Sequence, residues 1–208
     1  MERVMERKVN VAVLVSGGGT NLQALIDFEK QGNLKSGKIV KVISSKDGAY
    51  ALTRAANAGI DGAVVKRAGV PQAEFEKGII KELDDCGAEV IVLAGFMSIL
   101  SKDFTDRYKD RILNVHPALI PSFCGEGYYG LRVHQAALNY GVKVTGATVH
   151  FVNEVADGGK IIMQKAVAVE DGDTPEVLQR RVMEQAEWII LPKSTEKVCQ
   201  MVLKGEIK

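Results

Sequence analysis

An excess of charge of either sign is missing from this chain of 208 residues: 27 Lys and Arg stand against 26 Asp and Glu, a formal net charge of +1. Such a near-balance argues against a nucleic-acid binder held by a broad basic face. Aromatic residues are scarce too, at 6% with a single Trp, which leaves little material for base-stacking platforms. The three cysteines, Cys86, Cys124 and Cys199, are odd in number and far apart, with no C-x-x-C pair. That spacing excludes a zinc knuckle or a dithiol redox motif and fits a reduced, intracellular compartment. No apolar run is long enough to cross a bilayer, because the longest uncharged stretch, 9–26, is broken by Ser16-Gly-Gly-Gly-Thr-Asn21. The opening residues, Met1 to Lys8, mix both charges and lack the apolar segment of a secretory signal. A cytoplasmic protein with no membrane partner and no nucleic-acid partner is expected.

What is present is an ordinary globular composition, 46% hydrophobic and 25% charged. Short β-branched runs at 9–15, 38–44, 62–65 and 89–94 predict buried strands. Between them, Thr20-Asn-Leu-Gln23 fits a capping box opening a helix that Gly32 ends. Further helices are predicted over 49–58 and over 71–86, the latter ended by Gly87. Strand and helix alternate, so the expected fold is α/β: a single Rossmann-like domain with a mostly parallel sheet and helices on both faces. The second half is less regular and reads as a mixed sheet. It holds strands at 112–116, 145–152 and 160–169, and a helix near 133–140. Asp173-Thr-Pro-Glu176 opens a capped helix, which Pro192 is expected to stop before a last short helix.

Three stretches carry chemistry. Ser16-Gly-Gly-Gly-Thr-Asn21 lies between a strand and a helix start, where unpaired N–H groups and the helix dipole favour an anion. By itself it fits either a tight capped turn or a phosphomonoester site. Leu22 stands where a dinucleotide fingerprint needs glycine, and no Walker lysine opens the helix. Asn114 and His116 are two apart on a strand, so both side chains leave one face, and Pro117 ends the ladder. An amide and an imidazolium presented together can hold a developing oxyanion; a strand-end histidine bonded to backbone is the alternative. Asp157-Gly-Gly159 is a flexible connection whose carboxylate, if folded back on His116, would raise that ring's pKa. A surface turn serves equally well there. No Gly-x-Ser-x-Gly elbow occurs, Cys124 lacks a paired base, and His134 and His150 share no ligand spacing with His116 or a cysteine. No metal is expected.

In order along the chain stand Ser16-Gly-Gly-Gly-Thr-Asn-Leu22, Leu93-Ala-Gly-Phe-Met-Ser-Ile-Leu100, Asn114-Val-His-Pro-Ala-Leu-Ile-Pro121, Thr148-Val-His-Phe-Val152 and Asp157-Gly-Gly159. Together they resemble the phosphoribosylglycinamide formyltransferases, a folate-dependent family, over about 9–192. The resemblance implies formyl transfer from 10-formyltetrahydrofolate, as co-substrate, to the amine of glycinamide ribonucleotide in purine synthesis. It further implies a catalytic trio of Asn114, His116 and Asp157, with Asp157 keeping His116 charged near neutral pH. Gly19, Thr20, Asn21 and Glu187 would hold the ribonucleotide. Met97, Ser98, Ile99, Leu100, Asn114, Asn153, Glu154, Val155, Ala156 and Asp157 would line the folate pocket. Residues 1–100 would form the nucleotide half and 101–208 the catalytic and folate half of the one domain.

Ser98 replaces an arginine and Ala118 a serine found in many relatives, and the stretch 123–130 differs from their shorter loop. Methionyl-tRNA formyltransferases carry an added C-terminal domain and formyltetrahydrofolate hydrolases an N-terminal one, so a short, charge-balanced chain is expected to be neither. A degenerate phosphate-binding module would keep the glycine loop and lose the trio. The oligomeric state stays open between monomer and homodimer.

Overall fold

The first strand, β1 (Val9–Val15), dictates a layered molecule. Val9, Val11, Val13 and Val15 enter one apolar cluster, Ala12 and Leu14 the other, and all are fully buried. A strand apolar on both faces has to be covered on both. In the computed structural model, which describes residues 7–207, the elements follow as β1, α1 (Thr20–Lys30), β2 (Gly37–Ser44), α2 (Tyr50–Asn57), β3 (Asp61–Val64), α3 (Gln72–Asp85), β4 (Val90–Leu93) and α4 (Lys102–Arg107). The second half continues with β5 (Ile112–His116), α5 (Leu131–Tyr140), β6 (Val144–Phe151), β7 (Ile161–Ala168), α6 (Pro175–Val182), a π-helical turn (Met183–Glu187) and α7 (Trp188–Leu203). Residues 1–6 of the opening stretch lie outside the described residues.

The sheet has seven strands in the order β3-β2-β1-β4-β5-β6-β7. β3 through β5 run parallel, whereas β6 and β7 are antiparallel additions. One face is covered by α1, α2, α6 and α7 through residues such as Leu22, Leu25, Ala55, Leu178 and Ile190. The other is covered by α3 and α4 through Phe75, Ile79, Leu83 and Phe104. Burial of such side chains contributes roughly 1.5–3 kcal/mol each, so both layers are needed. After β3 the chain returns to place β4 beside β1 on its other side. This creates a topological switch, and ligand crevices in such sheets open at the carboxyl ends of the strands there. Ser16, at the end of β1, spans it: its Oγ lies 2.7 Å from Ser45 Oγ and accepts from Met97 N at 3.0 Å. Among the described residues no helix is long and apolar enough to cross a membrane.

Four local expectations need correction. The capping box at Thr20 does not form: Gly19 is the N-cap, at φ 73, with no side-chain cap, and Thr20 is already helical. Packing is the cause, since a Cβ on Gly19 would lie 2.7 Å from Ala51 Cβ, so α2 presses on a backbone that only glycine supplies. The short α4 was not anticipated; Ser101 caps it by accepting from Phe104 N at 3.2 Å. Pro192 does not stop the last helix but lies within α7. Trp188, whose carbonyl Pro192 cannot bond, has ψ −10 at the close of the π turn, which tilts that carbonyl off the ladder. Finally, the Asp157-Gly-Gly159 connection is tight instead of loose, because a Cβ on Gly159 would overlap the Phe151 carbonyl oxygen. Gly159→Ala is therefore expected to destabilise the fold by about 3 kcal/mol or more. An unchanged thermal midpoint for that variant would contradict this packing.

Candidate active site

The carboxyl end of β5 presents Asn114 and His116 on one face, and β6 runs antiparallel beside it with Asn114 opposite His150 and His116 opposite Thr148. After β6 the chain turns back at Asp157, which adopts φ 55, a left-handed conformation that aspartate tolerates better than most residues. Asp157 thereby reaches both histidines. Its Oδ2 accepts from Gly125 N at 2.9 Å and lies 3.4 Å from His116 Nδ1, and its Oδ1 lies 3.6 Å from His150 Nε2. The Asn114 amide Nδ2 is 3.5 Å from Asp157 Oδ1 and 3.2 Å from His150 Nε2. Asn114, His116 and Asp157 are thus brought together from one strand and a loop.

Hydrogen bonds to carbonyls decide the tautomers, since a carbonyl only accepts. His116 Nε2 donates to Phe123 O at 2.8 Å, which leaves Nδ1 facing the carboxylate. His150 Nδ1 donates to Phe151 O at 2.8 Å, so its Nε2 accepts from the Asn114 amide. His116 is only 4% exposed. Burial pushes its pKa below the ordinary 6.5, and the opposing pull of Asp157 and the Phe123 carbonyl does not restore it. The ring is therefore mostly neutral near pH 7, contrary to the expectation that Asp157 keeps it charged; desolvation outweighs the carboxylate. Burial also penalises the charge on Asp157, yet contacts with His150, His116 and the Gly125 amide hold its carboxyl below the usual range. Below the site, His134 on α5 is buried with neither ring nitrogen bonded, and burial followed by His116 presses its pKa to about 4.

The segment that follows Pro121 covers this cluster. Phe123, at φ 49, turns its carbonyl onto His116, and Gly125 donates its amide to Asp157. Cys124 lies between them with its Sγ on Pro121 O, and burial followed by Asp157 raises its pKa, so it is no thiolate nucleophile.

Across the switch point, Asn21 on α1 donates from Nδ2 to Glu187 Oε2 at 2.7 Å, and its Oδ1 is buried without a partner. Glu187 comes from the π turn, a local widening that recurs at functional sites. Burial raises its carboxyl to about 7, against the lowering effect of Asn21. Gly19 and Thr20 adjoin it at the start of α1, where Thr20 borders a cavity of about 350 Å³ with Gln23, Arg54 and Trp188.

The residues expected at a folate pocket divide. Met97 and Ile99 are exposed and Ser98 half-buried, whereas Leu100 packs into the core with Phe104. Glu154, Val155 and Ala156 are exposed on the turn before Asp157, and Asn153 accepts from Val155 N at 3.0 Å. Asn153 and Glu154 border a second cavity of about 290 Å³ together with Lys102 and Lys109. Sequence reasoning missed His150, Ser16 and the Phe123 and Gly125 backbone groups. His150 was recognisable as a strand residue, but its role depends on the β5–β6 register. Among the described residues no group of three His, Cys, Asp or Glu side chains is arranged to hold a metal ion.

An amide and an imidazole on either side of one half-buried carboxylate supply the donor types that acyl transfer needs. Residues 9–195 match the formyl transferase family model, and the chain belongs to that family. Among its relatives, the phosphoribosylglycinamide formyltransferase of Escherichia coli (strain K12) is 40% identical over 85% of this chain and 81% of its own length. The enzyme of the same name from Haemophilus influenzae is 43% identical over 88% and 83%. The crystal structure of glycinamide ribonucleotide transformylase 1 from Symbiobacterium toebii superposes with a TM-score of 0.86 at 38% identity, covering 93% of this chain and 88% of that one. The trifunctional purine biosynthetic protein adenosine-3 of Gallus gallus is 44% identical over 99% of this chain, which spans only 20% of that protein.

Glu187 links the site to stability. In the folded protein it holds its proton up to about pH 7, whereas an unfolded chain releases it near the ordinary 4.5. Between those values the folded state binds more protons, so raising the pH destabilises it, by up to about 3 kcal/mol. In urea denaturation at pH 5 and pH 8, Glu187→Gln should lose that decline while the parent protein keeps it; parallel slopes would refute the assignment.

Proposed function

We propose that this chain transfers the formyl group of 10-formyltetrahydrofolate to the amine of glycinamide ribonucleotide, a step of purine biosynthesis. The observation that carries the reading is the convergence of Asn114, His116 and Asp157 at the carboxyl end of β5, in a chain of the formyl transferase family. Gly19, Thr20 and Asn21 receive the ribonucleotide phosphate at the start of α1, and Glu187 takes its ribose hydroxyls. Folate lies against Met97, Ser98 and Ile99 near Leu100 and reaches Asn114 past the 153–157 turn.

The chemistry follows from the donors. The substrate amine attacks the formyl carbon, a C–N bond forms, and the carbonyl oxygen takes up the electron pair. Asn114 Nδ2 and His116 Nε2–H donate to that oxygen, the latter after giving up its bond to the Phe123 carbonyl. The growing negative charge strengthens the Nε2–H donor, while the ring stays neutral with Nδ1 toward Asp157. Asp157, held ionised, accepts the proton shed by the attacking nitrogen and passes it to the departing folate nitrogen as the old C–N bond breaks. Each oxyanion donor of this kind contributes roughly 3–4 kcal/mol.

Formyl release from 10-formyltetrahydrofolate, followed spectroscopically, should depend on glycinamide ribonucleotide; equal release with water alone would overturn the reading. His116→Ala should lower kcat by roughly 10²–10³-fold while changing the ribonucleotide KM far less. A near-normal kcat in that variant would remove His116 from the mechanism.

A further inference from the structure

The glycine loop takes its shape from α2. Ala51 N donates to Gly17 O at 3.1 Å, and Arg54 Nε donates to Gly18 O at 2.8 Å. A trans peptide unit points its N–H opposite to its C=O, so drawing these two carbonyls toward α2 turns the N–H groups of Gly18 and Gly19 away from it. Neither amide donates a hydrogen bond to any described residue. Arg54 is itself held in place: Nη1 donates to Gln23 Oε1 at 3.0 Å, and the guanidinium lies 5.0 Å from the centroid of the Tyr50 ring.

Its charge has no counterpart. The ion pairs among the described residues leave Arg54 without a carboxylate, whereas Arg107 has one and Arg181 two. Nη2 makes no hydrogen bond among the described residues, and the side chain borders the cavity that Thr20 borders. A half-buried guanidinium that keeps an open donor beside outward-facing amides is matched by an anion with several acceptor oxygens.

We propose that Arg54 is a positioning residue for the ribonucleotide phosphate, turning the Gly18–Gly19 amides toward the anion through the Gly18 carbonyl and supplying its countercharge. The inference rests on the reading of residues 19–21 as the phosphate site. Its test compares glycinamide ribonucleotide with the phosphate-free glycinamide riboside as formyl acceptors, for the parent protein, Arg54→Met and Arg54→Lys. Arg54→Met should raise the ribonucleotide KM about 10- to 100-fold, the range for a lost charged hydrogen bond. Its kcat and its KM for 10-formyltetrahydrofolate should change much less, and the riboside KM should stay close to that of the parent. Arg54→Lys should recover part of the loss, because it restores the charge without the fork that also holds Gly18, and it serves alone if Arg54→Met fails to fold. Equal losses for both acceptors would reduce Arg54 to scaffold, and an unchanged ribonucleotide KM in both variants would remove it from the site. A parent protein that does not distinguish the two acceptors would instead overturn the phosphate reading itself.

Discussion

One carboxylate shared by two imidazoles is the interaction on which the site depends. Asp157 sits within 3.6 Å of a nitrogen on both His116 and His150, at a place where water is scarce. Burial works on Asp157 and His116 alike, and it works against charge. The carboxylate wins because donors reach both of its oxygens, the Gly125 amide at Oδ2 and the Asn114 amide at Oδ1. His116 does not win, because a single nearby carboxylate and a carbonyl fall short of its desolvation cost. The resting site is an ionised acid beside a neutral base. That is a useful poise for a reaction whose negative charge appears only on the way to the transition state.

The rest of the fold holds this arrangement in register. Asn114 faces His150 because β6 pairs antiparallel with β5, and Asp157 returns to them because the chain turns within a few residues of Phe151. At the other side of the switch point, Ser16 bonds Ser45 and the Met97 amide, so the glycine loop after β1 and the segment after β4 share one hydroxyl. A parallel sheet with its chain reversal between β1 and β4 puts these pieces at one edge without long connections.

Much of this was legible in residue order. The β-branched runs and glycine stops located most strands and helices to within a residue or two, since those signals are local. The two-residue spacing of Asn114 and His116 fixed a common face before any partner was known. The remainder depended on tertiary contacts. His150 stands in the Thr148–Val152 motif without a partner legible there; only the register of β6 brings it to Asn114. Thr20 looked like a cap because sequence does not reveal that α2 would press on Gly19. Pro192 looked like a stop because the preceding π turn, which absorbs the misfit, leaves no pattern in the sequence. The charge on His116 is set by burial, and although a carboxylate nearby can be inferred from spacing, the depth of burial around both groups cannot.

The poise of His116 is measured most directly by nitrogen NMR of the imidazole rings, titrated across neutral pH in the unliganded protein. The account predicts a neutral His116 ring at pH 7, protonated on Nε2, with a pKa below the ordinary 6.5. An imidazolium signal for His116 at pH 7, or a proton on Nδ1 of the neutral ring, would contradict it.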